Sequence, residues 1–323
     1  MPTQHPLSTA SIESIAGLTA GSVATLVVHP LDIVKTRMQI YRSATVAGDQ
    51  LSLTTLDVLR SLVTHDTPLY AFYRGLTPNL VGNAAGWASF FFFKAKAEQL
   101  LISFRANGPQ THKNSSNLAP HEYFLASAMA GATTTMLTNP IWVLKTRMLS
   151  SDRATEGAYR SMTQGIRAIY HTEGLRGFYR GVLVSLAGVS HGAVQFAVYE
   201  PLKKVYLATK PRDGNGSGTN PTNQKGEQKQ RLDVQATLAI STLAKLVAGT
   251  ITYPYQVIRA RMQNYDSENR FGRGISGVAG RVLREEGLRG FYRGLGPAIL
   301  RVMPATWVTF LVYENVKHQL QAM

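Results

Sequence analysis

The sequence predicts an all-α membrane protein made of three copies of a two-helix unit, six crossings in all. Three observations carry that prediction. Uncharged stretches about as long as a bilayer crossing, which takes roughly 20 residues, recur along the chain: Gly75–Phe93, Tyr123–Leu144 and Gly181–Tyr199, with a shorter one, Ser14–Val28, ending in His29-Pro30. A proline frame recurs as PLDIVKTR from Pro30, PIWVLKTR from Pro140 and PYQVIRAR from Pro254. An aromatic-Arg-Gly signature follows it each time, as AFYRG at 71–75, GFYRG at 177–181 and GFYRG at 290–294. Two anchors kept in register through three copies mark an internal repeat of about a hundred residues.

Taken in order, repeat one covers 11–105, with an apolar helix running into the Pro30 frame, a polar loop, TPLYAFYRG from Thr67 and a second apolar span. Repeat two covers 118–208 and carries a short amphipathic segment, Met162–Tyr170, before EGLRGFYRG from Glu173. Residues 209–230 have the Gly, Asn, Gln and Lys content of a disordered linker. Repeat three covers 231–321, with the amphipathic segment Ile275–Arg284 before EGLRGFYRG from Glu286.

Composition sets the outer limits. The 323 residues carry a net charge of +15 with a pI near 10.1, which favours an anionic partner. Mean hydropathy is −0.07, so the apolar character is local. There is no cysteine, hence no disulfide framework and no thiolate metal site; the histidines are scattered, and no metal site is expected. The spans are rich in Gly, Ala, Ser and Thr, the small residues that let membrane helices pack closely. The amino terminus, MPTQHPLSTASIE, has neither a basic n-region nor an apolar h-region and is not Arg-rich, so any organelle address is expected to be internal.

Proline within a helix removes one backbone hydrogen bond and bends the rod. Pro30, Pro140 and Pro254 are therefore expected to bring three helix ends together. The third slot of the frame holds Asp32, then Trp142, then Gln256, so only one copy carries an acid. Arg301 interrupts an apolar span, where a charge is costly and functional by default. Lys245 breaks a small-residue pattern: repeat one has Gly17 and Gly21, repeat two Ser127 and Gly131, and repeat three Ser241 and then Lys245. Both cations are candidates for an anion-binding cavity.

The tripled P-x-[D/E]-x-x-[K/R]-x-[K/R] and aromatic-[K/R]-G motifs resemble those of the mitochondrial carrier family over nearly the whole chain. The resemblance implies six tilted helices around a central cavity, short amphipathic helices on the matrix side, alternating access, a monomer in the mitochondrial inner membrane, and both termini in the intermembrane space. It implies a matrix gate in which Asp32 meets Lys145, Trp142 faces Arg259 and Gln256 faces Lys35. Gln39 and Gln263 match the family's bracing glutamine, and Leu149 takes that place in repeat two. At the other end the family's [F/Y]-[D/E]-x-x-[K/R] is matched by Glu200 with Lys203 and by Glu314 with Lys317. Glu200 is expected to pair with Lys317, and Glu314 with Lys94 or Lys96. Cardiolipin is expected at the helix starts marked by Arg74-Gly75, Arg180-Gly181 and Arg293-Gly294, where free N–H groups suit phosphate. Substrate contacts are expected at Gly82 with Asn83, at Gly188 with Val189, and at Arg301, joined by Lys245. His191, Gln195 and Trp87 could add hydrogen bonds and stacking.

A small-then-apolar pair makes a flat slot, so the expected solute is a planar ring bearing an anionic group. YPYQVIRARMQ, SHGAVQFAVYE and GWASFFFF resemble the family's folate and FAD carriers, and FAD is the expected passenger, with folate and then NAD or pyrimidine nucleotides as alternatives. A soluble basic nucleic-acid-binding protein would share the charge and the FYRG motifs, but these aromatics adjoin uncharged spans rather than a basic face, and no nucleic-acid partner is expected. An enzyme would need a Walker loop, a dinucleotide fingerprint or a metal-spaced His cluster, and the sequence has none.

Overall fold

A computed structural model describes residues 9–41, 44–46, 49–51, 54–106, 120–150, 159, 161–209, 234–265 and 267–322. Of the linker expected at 209–230, Thr209 closes the helix Val189–Thr209, while 210–230, like the amino-terminal stretch 1–8, lie outside the described residues. In chain order the elements are α1 (Thr9–Ile40), β1 (Ala44–Val46), β2 (Asp49–Leu51), α2 (Thr55–Val63), α3 (Pro68–Phe72), α4 (Leu76–Ala106), α5 (Pro120–Ser150), α6 (Met162–Phe178), α7 (Val182–Ala187), α8 (Val189–Thr209), α9 (Val234–Ile251), α10 (Tyr253–Gln263), α11 (Ser267–Phe271), α12 (Gly274–Gly290) and α13 (Leu295–Ala322). The fold is all-α in three repeats, as expected. One small departure is the antiparallel hairpin of β1 with β2 after α1, pairing Ala44 with Leu51.

By Cα packing the chain falls into two compact units, one made of 1–189 with 253–323 and the other of 190–252. In the first unit α1 packs along α13 and α4 along α5, while α1, α5 and α10 touch one another pairwise. The three segments that carry Pro30, Pro140 and Pro254 thus meet. α1 and α5 run through their prolines, whereas the third segment breaks, α9 ending at Ile251 and α10 starting at Tyr253. Pro254 cannot donate to the Thr250 carbonyl. The preceding Thr252 turns its hydroxyl back onto the Ala248 carbonyl at 2.7 Å.

Among the described residues three helices are long and apolar enough to cross a membrane: Ile12–Ile40, Val182–Thr209 and Leu295–Gln321. α4 and α5, at 31 residues each, span about 46 Å at 1.5 Å per residue. Large apolar side chains such as Phe91, Leu183, Phe196, Trp307 and Leu311 are exposed on the spanning helices, the pattern of a surface facing lipid.

Buried apolar packing concentrates where the odd helices meet the short ones. Ile33 and Val34 of α1 pack with Val58, Leu62 and Ala71 of α2 and α3, and with Leu149 of α5. Val143, Leu144 and Met148 of α5 pack with Ile169 and Phe178 of α6. Ala260 of α10 packs with Phe271, Val278 and Val282 of α11 and α12, and with Ile40 of α1. The repeat register puts Leu149 at a bracing position; its side chain fills this core against Gly75 instead.

α2 begins at a capping box, with the Thr54 hydroxyl and the Asp57 backbone and carboxylate bonded reciprocally. Its counterparts α6 and α12 bend at Gly174 (φ 64°) and Gly287 (φ 65°), a left-handed conformation that explains the glycine of the two EG motifs. Repeat one, which has Thr67-Pro68 there, starts the separate helix α3 with Pro68 in its first turn.

Candidate functional site

A cavity of about 500 Å³ opens in the first unit, walled by α1, α4, α5, α10 and α13. That volume lies within the range of small-molecule sites. Its charged lining consists of Asp32, Lys35, Lys145, Arg259 and Arg301, four cations to one carboxylate, with Trp87, Trp142 and Tyr255 as its aromatic surfaces.

Asp32 is almost fully buried and shared. Lys145 Nζ lies 3.6 Å from Oδ2, Arg301 Nη1 lies 2.7 Å from Oδ1, and the Asn79 amide donates to Oδ2 at 3.3 Å. The Asp32–Lys145 contact is the one the family resemblance implied; Arg301, expected as a solute contact, also holds Asp32. Lys35 donates to the Gln256 side-chain oxygen at 2.9 Å. The Trp142 ring has Lys145 Nζ at 5.0 Å and Arg259 Cζ at 5.9 Å from its centroid. Its Nε1–H donates to Thr138 Oγ1 at 3.2 Å, which fixes the ring plane.

The two bracing glutamines do not cap these contacts. The Gln39 amide donates to the Tyr253 hydroxyl at 3.0 Å, and Gln263 accepts from the Thr146 hydroxyl at 3.0 Å. Each ties two odd segments together one helical turn past the first base of the frame.

The expected solute contacts divide. Asn83 lines the cavity and donates to Thr25 Oγ1 at 3.1 Å, and Trp87 lines it too, stacked on Phe91 with centroids 5.8 Å apart. Gly82 points elsewhere: a Cβ there would meet Ile141 at 3.2 Å and Trp142 at 3.5 Å, so this glycine lets α4 approach α5. Gly188 faces the Tyr255 ring, and Val189 packs on Gly131 of α5; neither lines the cavity. Lys245 and His191 belong to the second unit, where Lys245 lies half-exposed on α9 and His191 Nδ1 is 2.8 Å from Thr252 Oγ1.

The other charged positions need correction. Arg74, expected at a lipid headgroup, is buried and donates to the Tyr159 carbonyl at 3.2 Å. Arg180 joins Glu173 at 2.7 Å and the Ser267 hydroxyl at 2.6 Å. Arg293 joins Glu286 at 3.1 Å and lies over the Tyr41 ring. All three arginines hold protein partners. Gly75, Gly181 and Gly294 do adopt left-handed φ of 71°, 72° and 81° at the starts of α4, α7 and α13. At the other end Lys317 pairs with Glu13 of α1 at 3.6 Å, and Lys94 pairs with Glu98 of its own helix at 3.5 Å rather than with Glu314. Glu314 is exposed on α13; Glu200 and Lys203 lie partly exposed on α8 in the second unit.

Two sets of residues escape a reading of the sequence. The second base of the frame grips the EG acid: Arg147 takes Glu173 at 2.5 and 3.0 Å, and Arg261 takes Glu286 at 2.5 and 2.9 Å, both two-pronged. The residue before each proline forms the other set. His29 Nε2 lies 2.9 Å from the Arg74 carbonyl oxygen and therefore carries the proton, leaving Nδ1 to accept from Asn79 at 3.1 Å. Asn139 donates to the Phe178 carbonyl at 2.8 Å, and the Tyr253 hydroxyl donates to the Arg293 carbonyl at 3.0 Å. Each pins the kinked odd helix to the turn that starts the following even helix. The available signal is a polar residue before every proline.

The chain is similar to known proteins over almost its whole length. The profile of the family described as mitochondrial carrier protein matches residues 8–105, 116–210 and 230–323. The chain is 36% identical over 318 residues to the mitochondrial FAD carrier protein FLX1 of Saccharomyces cerevisiae, covering 95% of this chain and 96% of that one. It is 34% identical to the chloroplastic folate transporter 1 of Arabidopsis thaliana, over 93% of this chain and 92% of that one. It is 33% identical to the chloroplastic nicotinamide adenine dinucleotide transporter 1 of the same plant, over 97% and 93%.

Proposed function

The chain belongs to the mitochondrial carrier family of solute transporters, and on that premise we propose that it carries FAD across the mitochondrial inner membrane by alternating access. The observation that supports this reading is the composition of the cavity: four cations against one acid, beside the indole rings of Trp87 and Trp142 and the phenol ring of Tyr255. A flavin nucleotide matches it with flat rings and a diphosphate. The name of the yeast relative, a FAD carrier, points the same way. Folate is the second reading, since it too is planar and anionic and a relative of nearly equal identity is named for it.

In this reading the contacts of Asp32, Trp142 and Gln256 with Lys145, Arg259 and Lys35 form the matrix gate. They are one shared ion pair, one cation–π contact of about 0.5–2 kcal/mol and one charge-assisted hydrogen bond, weak enough to part on each cycle. Arg301 couples solute to gate. Its guanidinium is held by Asp32, and an anion that takes its fork removes one of the two cations from that carboxylate. Asn83 and Trp87 supply hydrogen bonding and stacking above that level. Lipid phosphate at Gly75, Gly181 and Gly294 would be held by backbone N–H groups, because the adjacent arginines are engaged. The protein acts as a monomer with both termini in the intermembrane space.

Purified protein in proteoliposomes, offered FAD, FMN, folates, NAD and pyrimidine nucleotides, tests the proposal. FAD uptake exceeding all others supports it; uptake of folate or NAD with none of FAD overturns it. Arg301→Ala is expected to abolish uptake while the protein stays folded, and unchanged uptake would remove Arg301 from the site.

A further inference from the structure

The cations of the cavity floor are unequally provided for. Lys145 and Arg301 share Asp32, and Lys35 holds an amide oxygen. Arg259 has neither. Among the described residues no carboxylate and no hydrogen-bond acceptor meets its guanidinium, whose Nε is shut off from solvent without a partner. The guanidinium faces the Trp142 ring at 5.9 Å, and that same ring also carries Lys145 at 5.0 Å. A neutral ring facing two cations compensates a desolvated guanidinium far less than a carboxylate does. The bond from the indole N–H to Thr138 keeps the ring from turning away. Arg259 is also part of the cavity wall, so what its fork lacks can be supplied from inside the cavity.

We propose that Arg259, assisted by Lys35, is a seat for a phosphate group of the transported solute, and that the solute thereby brings the negative charge that positions 142 and 256 lack. This inference rests on the reading of the chain as a carrier of a planar anion and names where the anionic end goes. An arriving phosphate meets Arg259 at no cost in broken ion pairs, whereas Arg301 must first leave Asp32. The phosphate therefore engages Arg259 first and draws it off Trp142, while Lys35 and Arg301, which line the same cavity, are the cations for a second phosphate of a diphosphate. A neutral flavin without phosphate has nothing to offer the seat. The fork of an arginine donates to two phosphate oxygens at once, which a lysine there would not.

Thermal unfolding of the purified protein in detergent, with inorganic pyrophosphate as the probe and sodium chloride at matched ionic strength as the control, tests the seat independently of the solute's identity. Pyrophosphate is expected to raise the unfolding temperature of the wild type and of Arg281→Gln, which removes one charge from α12. It is expected to leave Arg259→Gln and Trp142→Glu unmoved. The second variant keeps the guanidinium but hands it an internal carboxylate, so it decides the matter even where Arg259→Gln folds poorly. In proteoliposomes Arg259→Gln should lower the uptake efficiency of FAD by about tenfold or more, the scale of a hydrogen bond to a charged group. Absence of protection in the wild type, or equal protection in Trp142→Glu, overturns the seat. Protection by pyrophosphate with neither protection nor uptake for FAD keeps the seat and overturns the flavin reading.

Discussion

The two bases of the proline frame face opposite surroundings, and the contrast shows how one motif lines a cavity and holds helices together at once. They stand two residues apart, about 200° around a helix at 3.6 residues per turn, so they face different surroundings. The first base, Lys35, Lys145 or Arg259, faces the cavity, where a single carboxylate serves several cations and the rest make do with a ring and an amide. The second base, Arg147 or Arg261, faces the short helices, where each meets its own glutamate in a two-pronged pair. Arg261 and Glu286 have side-chain exposures of 2% and 1%. In the cavity one carboxylate serves two cations; beside the short helices each glutamate holds two arginines, Glu173 with Arg147 and Arg180 and Glu286 with Arg261 and Arg293.

The largest effect should come from breaking the dry layer. Glu286→Gln strands Arg261 and Arg293, and loss of one partner of a buried pair costs about 3–5 kcal/mol. Asp32→Asn removes an acid from the cavity layer, where the partners left behind, Lys145 and Arg301, keep side-chain exposures of 16% and 36%, and should lower the unfolding temperature by less than half as much. Equal losses would erase the distinction between the layers. Next in size, Trp142→Asp gives Arg259 a full ion pair, and FAD turnover in proteoliposomes should slow by several-fold, on the order of the 1.4 kcal/mol that a tenfold change in rate represents. Faster exchange would show that this contact is not part of the gate.

A smaller loss is expected from the pins. Asn139→Ala leaves the buried Phe178 carbonyl unmet and should cost about 1–3 kcal/mol, read as a lower unfolding temperature in detergent. An unchanged midpoint would reduce the pins to incidental contacts. The subtlest test is acid. Burial alone would raise the Glu173 carboxyl, but the hydrogen bonds and charge of Arg147, with the charge of Arg180, outweigh it and hold the group below its ordinary 4.5. Because the folded value is depressed, this clamp contributes its full stability above pH 4.5 and loses it as the pH falls towards the lower folded value. The unfolding temperature of wild type should therefore drop faster below that pH than that of Glu173→Gln, and parallel curves would contradict it.

Repetition makes the frame and the FYRG turns legible from the residue order alone, since identity at fixed spacing needs no knowledge of what a residue touches. The pairings of Asp32 with Lys145, Trp142 with Arg259 and Gln256 with Lys35 come from the family resemblance laid over that register. The pins are hidden because imidazole, amide and phenol do one job in three copies, so no letter repeats. Counting seven residues from each FYRG glycine gives a depth along the helix but not a direction around it. Successive residues differ by about 100°, which is why Asn83 reaches the cavity and Gly82 does not. The bond of Arg301 to Asp32 joins positions 269 apart in sequence and is invisible in either neighbourhood.

That long reach has a consequence for how the molecule is made. Ile40 is buried among side chains of α10, α11 and α12, Lys35 waits for Gln256, the Gln39 carbonyl for Arg261, and Asp32 for Arg301. None of these partners exists until the last third of the chain has been synthesised and inserted. The first unit is therefore clasped only by its last-made stave, its slowest contacts being those most distant in sequence. Chains cut short by a premature stop would keep a basic, unclasped edge in the lipid, an obvious mark for membrane quality control.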